Sequence, residues 1–507
     1  MAKPAEKLAQ SLELLQALQE EGIVAIRAKH IGRTHRQRLL ENGFIKEVMK
    51  GWYIPSRPDE NEGESTTWYA SFWSFCSAYL NNRFGDDWCL SPEQSLLIHA
   101  GNWTVPQQLL VRAPYKGSNK PVELLYGTSI YDVRTSIPDK KEIIEKEGLR
   151  LFSLPAALIH CAPGCFTQYP IDTRAVLSMV KDASDVLAQL LDGGHNRAAG
   201  RLAGAFRNIG RNRIADDIIK TMKAADYDVR GVDPFETKLS FTISSRENSP
   251  YVNRIRLMWE QMRESVIESF SAFKPQKIDI DGYLKQVEDI YVTDAYHSLS
   301  IEGYRVSREL IEKVRAGNWQ PDTDETDREH LNALAARGYW QAFQAVKESI
   351  KKVLDGSNPG DVVKDAHGDW YREMFAPSVT AGILKPGDLA GYRNRPVYIR
   401  RSHHVPPNYE AVSELMPTLF ELIKNEKSSD VRIVLAHFIF VFIHPYVDGN
   451  GRMGRFIMNV MFAAGGHPWL VIPVEERDNY MAVLEEASVK QNILPFAQFL
   501  NRLTGYA

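Results

Sequence analysis

The stretch HPYVDGNGRMGR, residues 444–455, decides the fold of the C-terminal half of this chain. It separates an apolar run at 431–443 from a second run of helical character at 453–464, and cap-type residues stand before the first run at 428–430. The glycines and asparagine at 449–451 accept left-handed backbone angles that most residues avoid. We therefore predict a buried helix, a glycine-rich turn and a second helix that starts at the turn.

This turn has the composition of an anion-binding site. The backbone N–H groups of Gly449, Asn450 and Gly451 can point one way, at the start of a helix whose dipole favours negative charge. Arg452 and Arg455 lie three residues apart on one face of the first helical turn and add two positive charges. We expect such a set of ligands to bind a di- or triphosphate in preference to a carboxylate.

Two further residues of the stretch suggest chemistry on that phosphate. Asp448 offers one carboxylate, and one carboxylate together with phosphate oxygens is a usual way for proteins to hold Mg²⁺. His444 ends the first helix beside the turn, where a neutral imidazole can take the proton of an attacking hydroxyl. A satisfied core histidine is the alternative, and the neighbouring proline, turn and arginines argue against it.

These residues resemble the signature of the Fic family, His-Pro-Phe-x-(Asp/Glu)-Gly-Asn-Gly-Arg-x-x-Arg, with Tyr446 in place of phenylalanine. The resemblance implies transfer of AMP from ATP to a Ser, Thr or Tyr hydroxyl of a protein, with release of pyrophosphate. It implies the roles given above: His444 as the base, Asp448 as the Mg²⁺ ligand, and 449–451 as the anion hole. Arg452 and Arg455 would bind the phosphates.

The resemblance extends to both sides of the signature. Residues 389–399 and 404–407 are similar to the family's β-hairpin flap, whose edge would align a target segment by strand addition. Asn459 and Tyr480 fall where the family lines its adenine pocket. The implied fold of this part is an all-helical Fic domain with a β-hairpin flap.

A second motif lies about 150 residues before the first, at Ser298, Glu302 and Gly303. It resembles the inhibitory motif (Ser/Thr)-x-x-x-Glu-(Gly/Asn) of regulated Fic proteins. Three specified positions arise by chance in many chains, and alone the segment would be an ordinary helix end with a glycine cap. Beside a Fic core, it implies that Glu302 pairs with Arg455 and withholds this arginine from the γ-phosphate, so that the α-phosphate of ATP is misplaced for attack.

The first 56 residues suggest a different activity. Leucines at helical spacing predict an opening helix: Leu8, Leu12, Leu15 and Leu18. A short helix, a basic helix capped by Thr34, and two short strands at 44–48 and 51–54 would complete a winged helix-turn-helix. The basic helix would present its side chains to DNA phosphates: Arg33, His35, Arg36 and Arg38. A basic helix that binds nothing is the alternative.

The N-terminal half, through about residue 230, also resembles the AbiEi-like antitoxin family of transcriptional regulators. The resemblance rests on the order of the elements, which is a helix, a basic helix and a wing. It also rests on the pairing of glycine with aromatic residues at 43–44 and 51–53. It implies DNA binding near the protein's own operon. Residues 66–232 alternate between sequence typical of helices and sequence typical of strands, and they contain no catalytic or binding motif. His160, Cys161 and Cys165 do not have the spacing of zinc ligands.

Composition sets the limits of these hypotheses. At 507 residues, with 44% hydrophobic and 25% charged residues, the chain is multidomain and globular, which excludes disorder or coiled coil as the main state. A net charge of -3 excludes a whole-chain basic field, so any DNA contact must be local. The chain has only four cysteines, its N-terminus lacks the pattern of a secretory signal, and no apolar run is long enough to cross a membrane. We therefore predict a cytoplasmic protein.

The predicted fold class is multidomain and mainly α, with a mixed α/β part before residue 233. We divide the chain into a winged helix-turn-helix, a mixed α/β regulator part, an inhibitory helical region and a Fic core: 1–56, 66–232, 250–320 and 325–507. Predicted helices of the C-terminal half are 251–273, 280–297, 307–316, 329–354, one ending near 375, 431–443 and 453–464, with a loop at 317–324.

Three functions remain open from the sequence. The first is a self-restrained adenylyltransferase, fused to a DNA-binding regulator, that uses ATP and Mg²⁺ to modify a protein, itself included. No membrane contact is expected. The second is a transcription factor whose Fic half only senses nucleotide. The third keeps the fold but removes AMP, with Glu302 placing a water, or uses another nucleotide. A homodimer is a further expectation.

Overall fold

A computed structural model describes residues 4–58, 60, 65–237, 249–269, 279–318 and 327–505. The chain divides into two compact units, the first comprising Met1–Arg254 with Tyr398–Val405, and the second Ile255–Val397 with Pro406–Ala507. The strands are β1 (Ile26–Arg27), β2 (Ile45–Met49), β3 (Trp52–Pro55), β4 (Cys89–Leu90), β5 (Gln108–Arg112), β6 (Pro121–Glu123), β7 (Ser129–Val133), β8 (Ile143–Lys146) and β9 (Leu149–Phe152).

Helices precede, separate and follow these strands. In the first unit they are α1 (Pro4–Glu20), α2 (Arg33–Glu41), α3 (Thr66–Phe84), α4 (Pro92–His99), α5 (Leu154–His160), α6 (Cys165–Gln168), α7 (Pro170–Met179), α8 (Ser184–Asp192), α9 (Asn196–Asn208) and α10 (Asn212–Ala224). The others are α11 (Pro250–Ser269), α12 (Ile280–Ile301), α13 (Arg308–Arg315), α14 (Asp327–Leu354), α15 (Pro359–Thr380), α16 (Val412–Asn425), α17 (Ser429–Ile443), α18 (Asn450–Ala464), α19 (Arg477–Lys490) and α20 (Leu494–Thr504).

The N-terminal segment of the first unit packs two helices against a small antiparallel sheet. Strands β1 and β2 both pair with β3, in the order β1-β3-β2. Leu15 of α1 and Leu39 of α2 are buried against the sheet with Ile26, Ile45 and Tyr53. The opening helix, the basic helix and the two-stranded wing are therefore present, whereas the winged-helix assignment as a whole stays a prediction.

Two local predictions for this segment are wrong. The expected short helix between α1 and α2 is replaced by β1 and turns, because Ala28 N–H bonds Gly51 O at 3.0 Å and draws the segment onto the hairpin. Thr34 does not cap the basic helix. That helix begins at Arg33 with Gly32 as its cap, two residues earlier than expected, since Arg36 N–H bonds Gly32 O at 3.0 Å and closes the first turn there.

The rest of the first unit mixes helices and strands, as predicted for residues 66–232. A four-stranded sheet has the order β4-β5-β7-β6, with β5 and β7 parallel and the outer pairs antiparallel. The aromatic stripe of α3 forms the core beside it, with Phe72 and Phe75 fully buried and Trp68 donating to Thr128 Oγ1 at 2.9 Å. These aromatic side chains therefore belong to the core of the first unit.

The described residues of the second unit form helices and short turns, without a strand. The apolar helix α17 is buried along almost its whole length, and Ser428 caps it by accepting from Val431 N–H at 3.3 Å. The predicted helices of this half are confirmed, with ends moved by up to five residues. Phe273, the expected end of the first, lies outside the described residues, as does most of the loop at 317–324.

The predicted β-hairpin flap is wrong in its secondary structure. Residues 389–407 are all described and contain no strand. A tight turn is present, with Ser402 N–H bonded to Ile399 O at 3.2 Å and Arg401 at φ 58°. The flanking ladder cannot form around it because prolines at 396, 406 and 407 lack an N–H, and the backbone of His403 pairs instead with Val105 inside the first unit.

Among the described residues, no helix has both the length and the apolar character that a membrane crossing requires. The division into four segments stays a prediction.

The buried position of α17 gives a test of the fold. Leu435 is fully buried in this helix, so we expect Leu435→Ala to lower the free energy of unfolding by about 2–5 kcal/mol. Leu494, which is 38% exposed, supplies a matched control, and Leu494→Ala should cost about 1 kcal/mol or less. Urea denaturation measures both, and equal losses would contradict the placement of α17 in the core.

Candidate active site

The turn between α17 and α18 has the left-handed conformations that its sequence predicts. His444 caps the end of α17 at φ 53° and ψ 58°, and Gly449 stands before α18 at φ 80°. A side chain at Gly449 would also lie 2.8 Å from the Phe375 ring, so glycine is required there for two reasons. Asn450 locks the turn, because its amide accepts from Tyr446 N–H at 2.9 Å and donates to Tyr446 O at 2.8 Å.

Aromatic stacking and the hydrogen bonds of one arginine hold the turn in place. Tyr446 is buried and stacks on Tyr371 of α15, with ring centroids 3.9 Å apart. Arg393 is also buried; its backbone N–H bonds Pro445 O at 2.9 Å and its Nε donates to His444 O at 2.8 Å. Nothing in the local sequence distinguishes Arg393 from Arg395, so the role of Arg393 could not be predicted.

The hydrogen bonding of His444 suits a general base. Its Nδ1 lies 3.1 Å from Val441 O, so Nδ1 carries the proton and Nε2 keeps a free electron pair. The pKa of His444 is lowered to about 4, mainly because the ring is buried and to a smaller degree because of the charge of Arg393, while the bond to Val441 acts in the opposite direction. The imidazole is therefore neutral at physiological pH.

Both arginines of the stretch are almost completely buried at the start of α18. The Arg452 guanidinium lies over the rings of Phe375 and Tyr304, at 5.1 and 5.3 Å from their centroids. Arg455 donates from Nε to Ser298 Oγ at 2.9 Å and from Nη2 to Ser298 O at 3.0 Å. Nε of Arg452 and Nη1 of Arg455 have no partner within the described part of the chain, so each arginine keeps a donor for a further anion.

Glu302 lies directly over this glycine-rich turn. Its Oε1 accepts from Arg455 Nη2 at 2.7 Å, and a Cβ added at Gly451 would overlap the same oxygen. Gly303, at φ 91°, ends the helix and turns the chain away. The structure therefore brings Ser298 and Glu302 of the second motif onto Arg455 of the first, as the sequence comparison implied.

Charge keeps this carboxylate ionised. Burial alone would raise the pKa of Glu302, but the charges of Arg455 and Arg452 and the hydrogen bond from Arg455 outweigh it and leave the pKa below its ordinary value. The pKa of Arg455 is raised for the same reason: its pairing with Glu302 outweighs its burial.

Asp448 is exposed beside the turn, where its Oδ1 accepts from Gly449 N–H at 2.6 Å and its Oδ2 lies 3.4 Å from Arg452 Nη2. Within the described ranges no group of three or more His, Cys, Asp or Glu residues could hold a metal ion. A single accessible carboxylate beside two arginines fits a cation that arrives already bound to phosphate oxygens. The Mg²⁺ assignment stays a prediction on these terms.

The two residues expected in the adenine pocket are in the interior. The amide of Asn459 bonds the backbone of Leu470 in both directions, at 3.0 and 2.7 Å, and the Tyr480 hydroxyl lies 2.7 Å from His437 Nε2. Tyr480 and Asn459 are each 1% exposed. Both side chains belong to the protein interior, and their contact with the adenine base remains a prediction.

The basic residues of α2 are mostly engaged within the first unit. Arg36 donates to Ala28 O at 3.2 Å, and Arg38 donates to Lys7 O at 2.7 Å. His35 Nδ1 lies 3.0 Å from the hydroxyl of Ser11 on α1. Arg33 is exposed. The contacts of His35 and Arg38 hold α2 against α1, and DNA binding through the four predicted residues stays a prediction.

Comparisons with known proteins agree with this geometry. Residues 361–462 match the Fic/DOC family. Protein adenylyltransferase Fic of Drosophila sechellia and that of Drosophila melanogaster are each 27% identical to this chain over 271 residues, which is 52% of this chain and 51% of theirs. The chain thus spans about half the length of the curated relatives it matches. The region contains a Fic domain and is homologous to Fic protein adenylyltransferases.

A solved structure of Fic-1 (aa134–508) from C. elegans is 18% identical and covers 69% of this chain and 84% of its own, with a TM-score of 0.36. The likeness of the N-terminal half to AbiEi-like regulators stays a prediction.

The contact between Glu302 and Arg455 can be measured as a coupling energy. In a double-mutant cycle with Glu302→Gln and Arg455→Met, we expect a coupling of about 1–3 kcal/mol in the free energy of unfolding, because Arg455 is buried. Since the pKa of Glu302 is lowered, the coupling should persist at neutral pH and be lost only as the pH falls through that lowered pKa, below the ordinary value of 4.5.

A surface pair serves as the control for this cycle. Arg256 and Glu421 also lie 2.7 Å apart, but their side chains are 28% and 53% exposed. Their coupling should be about 0–1 kcal/mol. Equal coupling in the two cycles would contradict the described burial of the Glu302–Arg455 contact.

Proposed function

We propose that this chain, which contains a Fic domain, is a protein adenylyltransferase that Glu302 holds in an inhibited state. The observation that carries the proposal is the position of the Glu302 carboxylate, bonded to Arg455 and lying over Gly451. A site built for a carboxylate alone would not need the partnerless donors on both buried arginines or a base beside them. A larger anion that replaces Glu302 accounts for all of these features.

The chemistry follows from the groups on the turn. ATP would bind with its phosphates on the backbone N–H groups of 450–451 and on Arg452 and Arg455. The acceptor hydroxyl would give its proton to His444 Nε2 while its oxygen attacks the α-phosphorus. A new O–P bond forms, the bond from the α-phosphorus to the bridging oxygen breaks, and pyrophosphate leaves with its electron pair. Mg²⁺ held by Asp448 and phosphate oxygens would neutralise charge on the leaving group.

Inhibition follows from competition for one guanidinium. While Glu302 occupies Arg455, the γ-phosphate lacks its arginine, and the nucleotide cannot place its α-phosphate in line with the acceptor. The substrate is accordingly a protein with an accessible hydroxyl, and the chain itself is the nearest such acceptor. Removal of AMP, or use of another nucleotide, is the alternative chemistry for the same groups.

Glu302→Gly tests the inhibited state directly. We expect the purified variant, incubated with Mg²⁺ and ATP, to gain one or more AMP groups by intact-mass analysis, because Arg455 becomes available to the triphosphate. The rate should exceed that of the unaltered protein by about tenfold or more, the equivalent of about 1.4 kcal/mol in the barrier.

Two variants control this experiment. Glu410→Gly removes an exposed glutamate elsewhere in the second unit and should leave the rate unchanged. His444→Ala in the Glu302→Gly background should abolish transfer, since the proton of the acceptor has no base. No added mass on the Glu302→Gly protein, or on proteins of a lysate, would contradict the proposal, and loss of AMP from a modified protein would favour the alternative chemistry.

The pH profile reports the state of His444. Because the pKa of His444 is lowered to about 4, the base is already neutral in the free protein at pH 5.5. Glu302 raises this pKa, so its removal lowers it further. We expect kcat/KM of the Glu302→Gly protein to stay level from about pH 5.5 to 8. An acidic limb near the ordinary histidine value of 6.5 that is specific to His444 would show that the ring is not desolvated as described.

A further inference from the structure

A buried carboxylate outside the active site lies on the same helix as Glu302. Asp294 of α12 is 5% exposed, and two aromatic side chains donate to it. The Tyr339 hydroxyl of α14 bonds its Oδ2 at 2.6 Å, and Trp469 Nε1, from the loop after α18, bonds its Oδ1 at 2.9 Å. Both carboxylate oxygens thus have fixed donors from two different elements.

Asp294 continues a polar stripe that leads to the site. Asp294, Ser298 and Glu302 are spaced four residues apart, so they lie on one face of α12 at successive turns, about 6 Å apart along the axis. Ser298 and Glu302 both accept hydrogen bonds from Arg455. The inhibitory helix is therefore fixed by polar contacts at three successive turns, and Asp294 makes the first of them.

The partners of Asp294 are themselves held by the helix that carries Arg455. Phe456, the residue after Arg455, has its ring centroid 5.0 Å from that of Tyr339 and 6.4 Å from that of Trp469. The ring centroid of Phe343, on α14, lies 5.1 Å from that of Trp469. A change in the position of α12 along its axis would therefore move Asp294 away from donors that stay fixed relative to Arg455.

Such a shift costs more free energy when a buried charge takes part in it. Apolar side chains can slide past one another at modest cost, whereas an ionised carboxylate that loses its donors in the interior pays the full cost of its desolvation. The hydrogen bonds of Asp294 thus favour one position of α12. In that position, Glu302 is bonded to Arg455. No step of the proposed reaction uses Asp294, and the sequence motif that identified Glu302 begins four residues after it.

We propose that Asp294 is a positioning residue for inhibition: its bonds to Tyr339 and Trp469 hold the inhibitory helix where Glu302 reaches Arg455. This inference rests on the proposed function, because it concerns the regulation of the same site. Weakening the contact at Asp294 frees Glu302 to leave Arg455 although the glutamate is still present, so transfer of AMP increases.

The test is Asp294→Asn, alone and combined with Glu302→Gly, assayed by intact mass with Mg²⁺ and ATP at pH 8. Burial raises the pKa of Asp294 to about 6, so the native carboxylate is charged at that pH. The asparagine keeps the shape but turns one acceptor into a donor that faces a donor. We expect about tenfold faster transfer from the single variant, and a change of less than twofold when Glu302 is already glycine.

Asp289→Asn on the exposed side of α12 is the matched control and should leave the rate unchanged. Tyr339→Phe removes one donor without removing the buried charge, and it should also raise transfer, which keeps the test valid if Asp294→Asn fails to fold. Hydrogen exchange of residues 294–303 should become faster in both variants.

The outcomes separate this inference from the proposed function. Faster transfer by Glu302→Gly without any increase from Asp294→Asn or Tyr339→Phe would overturn the positioning role and leave the proposed function intact. Equal loss of activity in both backgrounds would assign Asp294 a purely structural role. No transfer by any variant, Glu302→Gly included, would contradict the proposed function and this inference together.

Discussion

The guanidinium of Arg455 is a positive charge in the protein interior, and the arrangement of the second unit around the turn follows from the need to satisfy it. An unpaired buried charge is strongly destabilising, so a guanidinium at the start of α18 needs acceptors. The backbone and hydroxyl of Ser298 supply two and Glu302 supplies the negative charge. The ion pair restrains α12 and the anion site at the same time.

The turn that presents Arg455 is made rigid by contacts that carry no chemistry of their own. Asn450 closes the loop on Tyr446, which stacks on Tyr371, while Arg393 holds the carbonyl groups at 444 and 445. Because these groups fix the backbone, the proposed binding of phosphate would require no rearrangement of the N–H groups of the turn. In the proposed function, Glu302 occupies the place that a phosphate would take.

Much of this site could be predicted from the sequence because it is local. The left-handed turn, the helix starts and the residues at 444–455 are encoded within twelve positions, and the pairing of Glu302 with Arg455 followed from a second short motif. Arg393 and Asp294 were missed, since their partners lie far away in sequence and no spacing links them. A buried polar contact between distant segments leaves no periodic signal in either one.

The errors have a related cause. We predicted a short helix before α2 and a hairpin after residue 389 from the local sequence or from the family resemblance. In each case, a backbone group far away in the sequence forms the hydrogen bond instead: Gly51 bonds Ala28, and Val105 bonds His403. Thr34 is a good cap by type, yet the helix starts two residues earlier than a cap at Thr34 would place it. Tertiary contacts decided these segments against their local preference.

The proposed function depends most directly on binding of a triphosphate to the turn, from which Glu302 excludes it. A crystal structure of the Glu302→Gly protein with Mg²⁺ and a non-hydrolysable ATP analogue tests it. We predict phosphate oxygens on the backbone N–H groups of 450–451, with the γ-phosphate on Arg455 where Glu302 lay and the α-phosphate facing His444 Nε2. Density for the analogue elsewhere, with Arg455 still bonded only to Ser298 and the turn free of phosphate, would contradict the claim.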